Sequence, residues 1–144
     1  MDRSLVSSEP ACLRTSNDWA IFEKETQARE AVRLAGIGRT ISGEPNRWFS
    51  WEPGGSRLVY AANTTSGAEL FVMTLPNGQP QQLTDALGSN VNPSWSPDGS
   101  KIAFASHRFG DWEIYVMDAD GSNPVRISRH SASDMSPSWS PFLK

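Results

Sequence analysis

One spacing governs what this chain can fold into: Trp51, Trp95 and Trp139 stand 44 residues apart, and the sequence around them recurs in the same register. From the first copy to the second, Pro53 matches Pro97, Gly55 matches Gly99, Ser56 matches Ser100 and Arg57 matches Lys101, followed by Leu58 with Ile102, Tyr60 with Phe104 and Ala61 with Ala105. Further on, Glu69-Leu70-Phe71-Val72-Met73 falls on Glu113-Ile114-Tyr115-Val116-Met117 without a change of offset. A fainter copy precedes both. "WAIFEKETQAREAVRL" (Trp19 to Leu34) lies over "WEIYVMDADGSNPVRI" (Trp112 to Ile127) at an offset of 93, pairing Ile21 with Ile114, Phe22 with Tyr115 and Val32-Arg33 with Val125-Arg126. Self-similarity at such a period marks stacked supersecondary units, each of which buries its faces against its neighbours.

Within one unit, four short segments of strand character are divided by turn chemistry. "PSWS" comes first, and Pro97-Asp98-Gly99 then supplies the residues of a type I turn. "KIAFAS" alternates large Ile102 and Phe104 with small Ala103 and Ala105. "EIYVMDA" is apolar without a break from Ile114 to Met117, as expected of a strand covered on both faces. Asp120-Gly121, like Asn77-Gly78 in the preceding copy, is a hairpin signal, and "PVRIS" or "PQQLT" closes the unit. Four antiparallel strands in this length are the measure of one propeller blade.

The expected fold is therefore all-β: an incomplete β-propeller of about two full four-stranded blades, a degenerate N-terminal blade and one C-terminal strand. Its boundaries are 1–46 for the degenerate or partial first blade, 47–90 and 91–134 for the two blades, and 135–144 for the first strand of a truncated further blade. Within 22–35, "EKETQAREAVRLA" is rich in helix formers, so a helix competes there with the degenerate strands that the repeat favours.

"PSWSPDGSKIAFAS" followed by "GDWEIYVMDADGSNPVRIS" resembles the WD-like β-propeller repeat of the TolB family, which is also found in the propellers of tricorn-type and prolyl-oligopeptidase-type peptidases. The likeness is good over residues 47 to 141 and poor over 11 to 40. It implies a non-catalytic protein-interaction scaffold, periplasmic in the parent protein, that docks envelope partners such as a peptidoglycan-associated lipoprotein through one face of the ring. The alternative is a piece of the substrate-gating propeller of a serine peptidase, although no G-x-S-x-G stretch is present. The last copy departs from the pattern, with Phe142-Leu143-Lys144 in place of the turn residues Asp98-Gly99-Ser100.

Four blades of this period would need more than the 144 residues present, whereas closed propellers have about 4 to 8. Two explanations follow: a fragment of a longer, six-bladed relative, or two copies sharing one ring, with the strand around Trp139 completing a partner's first blade. Exposed strand edges and blade faces lead us to expect aggregation or assembly rather than a well-behaved monomer.

Composition and motifs narrow the chemistry. The formal charge of -3 is spread without any basic run, which argues against nucleic acid as a partner. The lone Cys12 forms no internal disulfide, and no Cys/His set has zinc spacing. As written, the chain has no export signal and no stretch long enough to span a membrane. "DADGSN" (Asp118 to Asn123) partly resembles a calcium loop but lacks its full spacing, and a tight turn accounts for the same residues. No catalytic, metal or cofactor residues are assigned. His107 and His130 fall in two loops expected on one polar face with Arg108, Asp111, Arg129 and Asp134. Phe109 lies in the first of these loops, and Trp112, Trp48 and Phe49 are aromatic sites not repeated between the two well-matched copies, as suits partner anchors.

Overall fold

The computed structural model describes residues 49–74, 78–86, 88–129 and 131–141, together with the backbone strands 11–14, 19–23 and 32–38. The chain divides into two units, Met1–Asn46 and Arg47–Lys144.

In the first unit, β1 (Ala11–Arg14), β2 (Trp19–Glu23) and β3 (Val32–Gly38) form an antiparallel sheet in that order. The helix considered within 22–35 meets strand at both ends of that range, and 24–31 lie outside the described residues.

The second unit holds two four-stranded antiparallel sheets. One is β4 (Phe49–Trp51), β5 (Arg57–Thr64), β6 (Gly67–Thr74) and β7 (Gln81–Gln82). The other is β8 (Asn90–Trp95), β9 (Lys101–Ser106), β10 (Glu113–Asp118) and β11 (Val125–Arg126). Each runs in chain order across the sheet, as consecutive hairpins dictate. The 44-residue correspondence extends to individual pairings: Trp51 faces Leu58 as Trp95 faces Ile102, and Tyr60 faces Phe71 as Phe104 faces Tyr115. The two aromatic pairs stack with centroids 5.9 and 5.8 Å apart. Turn chemistry repeats too. The Gly55 N–H donates to the Glu52 carbonyl at 2.8 Å and the Gly99 N–H to the Ser96 carbonyl at 2.9 Å, with φ of 75° and 71° at the two glycines. Only a residue lacking Cβ takes that conformation cheaply.

The core lies between the two blades, where β8 packs against β4, β5 and β6. Val59, Leu70, Ile102 and Phe104 are fully buried there. Contrary to the expectation for an unbroken apolar strand, β10 alternates: Glu113, Tyr115 and Met117 are buried, while Ile114, Val116 and Asp118 are half-buried. In the first blade, Leu70 and Val72, the counterparts of Ile114 and Val116, are buried because the second blade covers them.

Candidate functional site

Hydrogen bonds draw the loops at one edge of the blades together. His107 N–H, at the start of the β9–β10 hairpin loop, donates to the Ser89 carbonyl before β8 at 2.9 Å. Asp134 N–H in the segment after β11 donates to the Trp112 carbonyl at 2.8 Å. Gly88 makes the first approach feasible. Its φ is +90°, and a Cβ there would stand 2.7 Å from the His107 carbonyl oxygen.

Within this cluster the imidazole of His107 and the indole of Trp112 are tilted against each other, centroids 5.1 Å apart. Phe109, at the loop tip, is 78% exposed, and Asp111 is exposed beside it. Arg108 turns inward. It donates from Nε to Ser106 Oγ at 2.9 Å and from Nη2 to Asn90 Oδ1 at 3.2 Å, with its guanidinium 4.5 Å over the Tyr115 ring. Its charge therefore props the loop from below. Arg129 is exposed and Asp134 half-buried. Phe49 is a half-buried strand residue opposite Tyr60, and Trp48 and His130 lie outside the described residues.

Beneath the loops lies a buried polar group that the residue types alone did not single out. Glu69 is fully buried; its Oε2 accepts from Thr84 Oγ1 and, at 2.9 Å, from Asn90 Nδ2, so a carboxylate of the first blade is tied to the first strand of the second. Burial pushes this carboxyl above the usual range, against the hydrogen bonds from Thr84 and Asn90, and nearby Asp85 pushes the same way. The second blade repeats the device: Ser128 Oγ donates to Glu113 Oε2 and receives the Ile114 N–H at 2.8 Å, as Thr84 Oγ1 receives the Leu70 N–H at 2.9 Å. The signal in the sequence was the recurrence of Glu69 with Thr84 as Glu113 with Ser128.

The "DADGSN" carboxylates are engaged by their own turn. Asp120 Oδ1 accepts from Ser122 Oγ at 2.6 Å, while Asp118 pairs with Lys101 and accepts from Asn123 Nδ2 at 2.7 Å. Among the described residues, no group of three or more His, Cys, Asp or Glu could hold a metal ion, and no helix is long and apolar enough to cross a membrane.

Repeated four-stranded antiparallel sheets in chain order, sharing one core and joined through their first strands, define an incomplete β-propeller. The family model for the TolB beta propeller domain matches residues 19–143, so the chain belongs to the TolB β-propeller family. A structure assigned as TolB from Agrobacterium tumefaciens is 27% identical with a TM-score of 0.74, covering 86% of this chain and 43% of that one. TolB from Acinetobacter baumannii is 19% identical with a TM-score of 0.67, over 81% of this chain and 28% of that one. A chain of a nidogen/laminin complex shares the fold at 11% identity and a TM-score of 0.61, over 78% of this chain and 41% of that one. The chain thus spans less than half the length of these structures. No curated protein matches it.

Proposed function

We propose that this chain serves as a non-catalytic protein-interaction scaffold, part of a periplasmic TolB-like propeller that docks an envelope partner through the loop face carrying residues 85–92, 106–111 and 129–136. The observation that carries the reading is the pairing of an exposed aromatic tip with a propped base: Phe109 is exposed while Arg108 and the tilted His107–Trp112 ring pair hold its loop in place. Aromatic side chains on a preorganised loop provide contact area at little entropic cost, which is what an interface anchor requires. Asp111, Arg129 and Asp134 supply a polar rim, with His130, Trp48 and Phe49 completing the proposed set. His107 leans on an indole instead of standing beside a nucleophile, which suits docking better than proton transfer.

Isothermal titration of the chain with a purified peptidoglycan-associated lipoprotein tests this reading. Binding is expected, and Phe109→Ala with Trp112→Ala is expected to weaken it about thirtyfold or more, the effect of losing a hot spot of about 2 kcal/mol. Unchanged affinity in the doubly substituted chain, with its melting transition preserved, would overturn the assignment of the face. Absence of binding by the unsubstituted chain would overturn the partner class.

A further inference from the structure

We propose that Asn90 is the positioning residue of the 107–112 loop: its side-chain oxygen holds Arg108, while the buried Glu69 decides which end of the amide faces the guanidinium. The consequence for docking rests on the loop-face function above; the positioning itself does not.

The β5–β6 and β9–β10 hairpins are equal in length and close differently. In the first blade, pairing continues from Ala62 with Glu69 to Thr64 with Gly67. In the second it stops at Ser106 with Glu113, the counterparts of Ala62 and Glu69, and 107–112 form a loop. The turn glycine has moved. Gly67 takes φ of 132°, but its counterpart is Asp111, and the positive φ of 103° falls one residue earlier, at Gly110. A residue with a Cβ takes such a backbone only at a cost, so the second hairpin does not close as the first does.

A loop that does not close on itself needs support from outside. Thr64 Oγ1 donates to the Gly67 carbonyl at 2.8 Å and accepts the Ser66 N–H at 3.2 Å, tying the first hairpin to itself. Arg108 stands at the position of Thr64 and reaches out of its loop instead. Among the described residues, the backbone bond within 107–112 runs from Gly110 N–H to the His107 carbonyl at 3.4 Å, longer than the ordinary range. Two neighbours at the start of β8 supply the anchors. The Ser89 carbonyl takes the His107 N–H at 2.9 Å, and Asn90 Oδ1 takes Arg108, the residue next to exposed Phe109, at 3.2 Å. Both neighbours are fixed in turn to the first blade: Ser89 Oγ accepts the Ala68 N–H at 3.3 Å, and Asn90 Nδ2 donates to Glu69 Oε2 at 2.9 Å.

The chemistry of the joint calls for an amide. A guanidinium only donates and a carboxylate only accepts, so a side chain between them must offer oxygen to one and N–H to the other. Asn90, fully buried, does both. A flipped amide would turn its NH2 toward Arg108 and its oxygen toward Glu69, losing both bonds at once. The Tyr115 ring, 4.5 Å from the guanidinium, supports its plane but leaves it able to slide. Ser106, the other acceptor, belongs to the loop's own strand, so Asn90 is the tie to β8.

The next copy of the repeat carries Asp134 at this position, and that substitution separates positioning from stability. An aspartate at 90 offers oxygen at either end, which serves Arg108 without needing orientation but opposes Glu69. Amide hydrogen exchange, followed by NMR on the unbound chain, reads the loop at His107 and Gly110 against the amides of β9 and β10. Asn90→Ala and Arg108→Met should each speed exchange at these two amides about tenfold, the size expected on losing a hydrogen bond to a charged group. The double variant should go no further, because both substitutions remove the same bond. Asn90→Asp should lower the melting temperature yet leave His107 and Gly110 exchanging as in the parent. Three results would overturn the proposal: unchanged exchange in both single variants, effects that multiply in the double variant, or loop exchange that tracks the melting temperature through Asn90→Asp. Arg108→Met leaves Glu69 and Asn90 in place, so it decides even where substitutions at 90 fold poorly. Calorimetric titration of Asn90→Ala with the peptidoglycan-associated lipoprotein is read separately: a loosened loop with undiminished affinity would sink the loop-face reading, while the positioning stands on the exchange data.

Discussion

Glu69 carries a cost that its repeat partner does not share in the same form, because it is sealed between blades with Thr84 and Asn90 as its donors. Its folded-state carboxyl sits above the usual range through burial, so the folded chain holds the proton more tightly than the unfolded one. Stability from this group is present below the ordinary glutamate range and is lost as pH rises through the raised value. Asp98 acts with opposite sign. Hydrogen bonds from Ser96 and Ser100 hold it down to about 2, so its contribution is present above the usual aspartate range and fades as pH falls toward that value. Glu69→Gln keeps an acceptor for Thr84 and Asn90 without the charge. It should melt with the parent in acid and above it at pH 7 to 8, with a gap that widens as pH rises, as thermal scans across that range would show. Glu69→Ala strands both donors and should lose about 1–3 kcal/mol in urea titrations. Glu69 shows what one residue's identity conceals. The repeat marks its position, but its burial depends on a strand twenty-odd residues away.

Two kinds of glycine separate the local from the tertiary at the scale of elements. Gly55 and Gly99 close equivalent turns at φ of 75° and 71°, and a Cβ at either would meet nothing closer than ordinary contact. Gly55→Ala and Gly99→Ala should therefore cost about the same, roughly 1–2 kcal/mol each, the intrinsic penalty of the left-handed conformation. Gly88→Ala should cost measurably more, because its Cβ would stand 2.7 Å from the His107 carbonyl and force two loops apart. Chemical denaturation of the three variants checks the order. The turn glycines were legible in the sequence because Pro-Asp-Gly states its own geometry, and so were the strands between them. The Gly88–His107 approach was not, since it joins two segments that only blade stacking brings together. For the same reason the sequence placed Arg108 with the partner-facing residues, while the structure turns it onto Tyr115 and Asn90.

At the scale of the whole molecule, identical code meets unequal surroundings. Leu70 and Val72 are buried by a neighbouring blade, and Ile114 and Val116, their repeats, are only half-buried. An open apolar face is stabilised by whatever covers it, and association links that stabilisation to mass action. The melting temperature of the chain should accordingly rise by several degrees over a hundredfold increase in protein concentration, about 2.7 kcal/mol of linkage at most. A transition independent of concentration in differential scanning calorimetry would contradict the expectation. The all-β class, the blade period, the turns and the strand pairings were determined by the sequence alone, because hydrophobic alternation and turn chemistry act over a few residues and recur at a fixed interval. Which copies of the repeat end up covered, which loops meet, and where a carboxylate is sealed from water were decided only by the tertiary structure. Burial is a property of neighbours, and a repeat carries the same letters whether or not its neighbour is there.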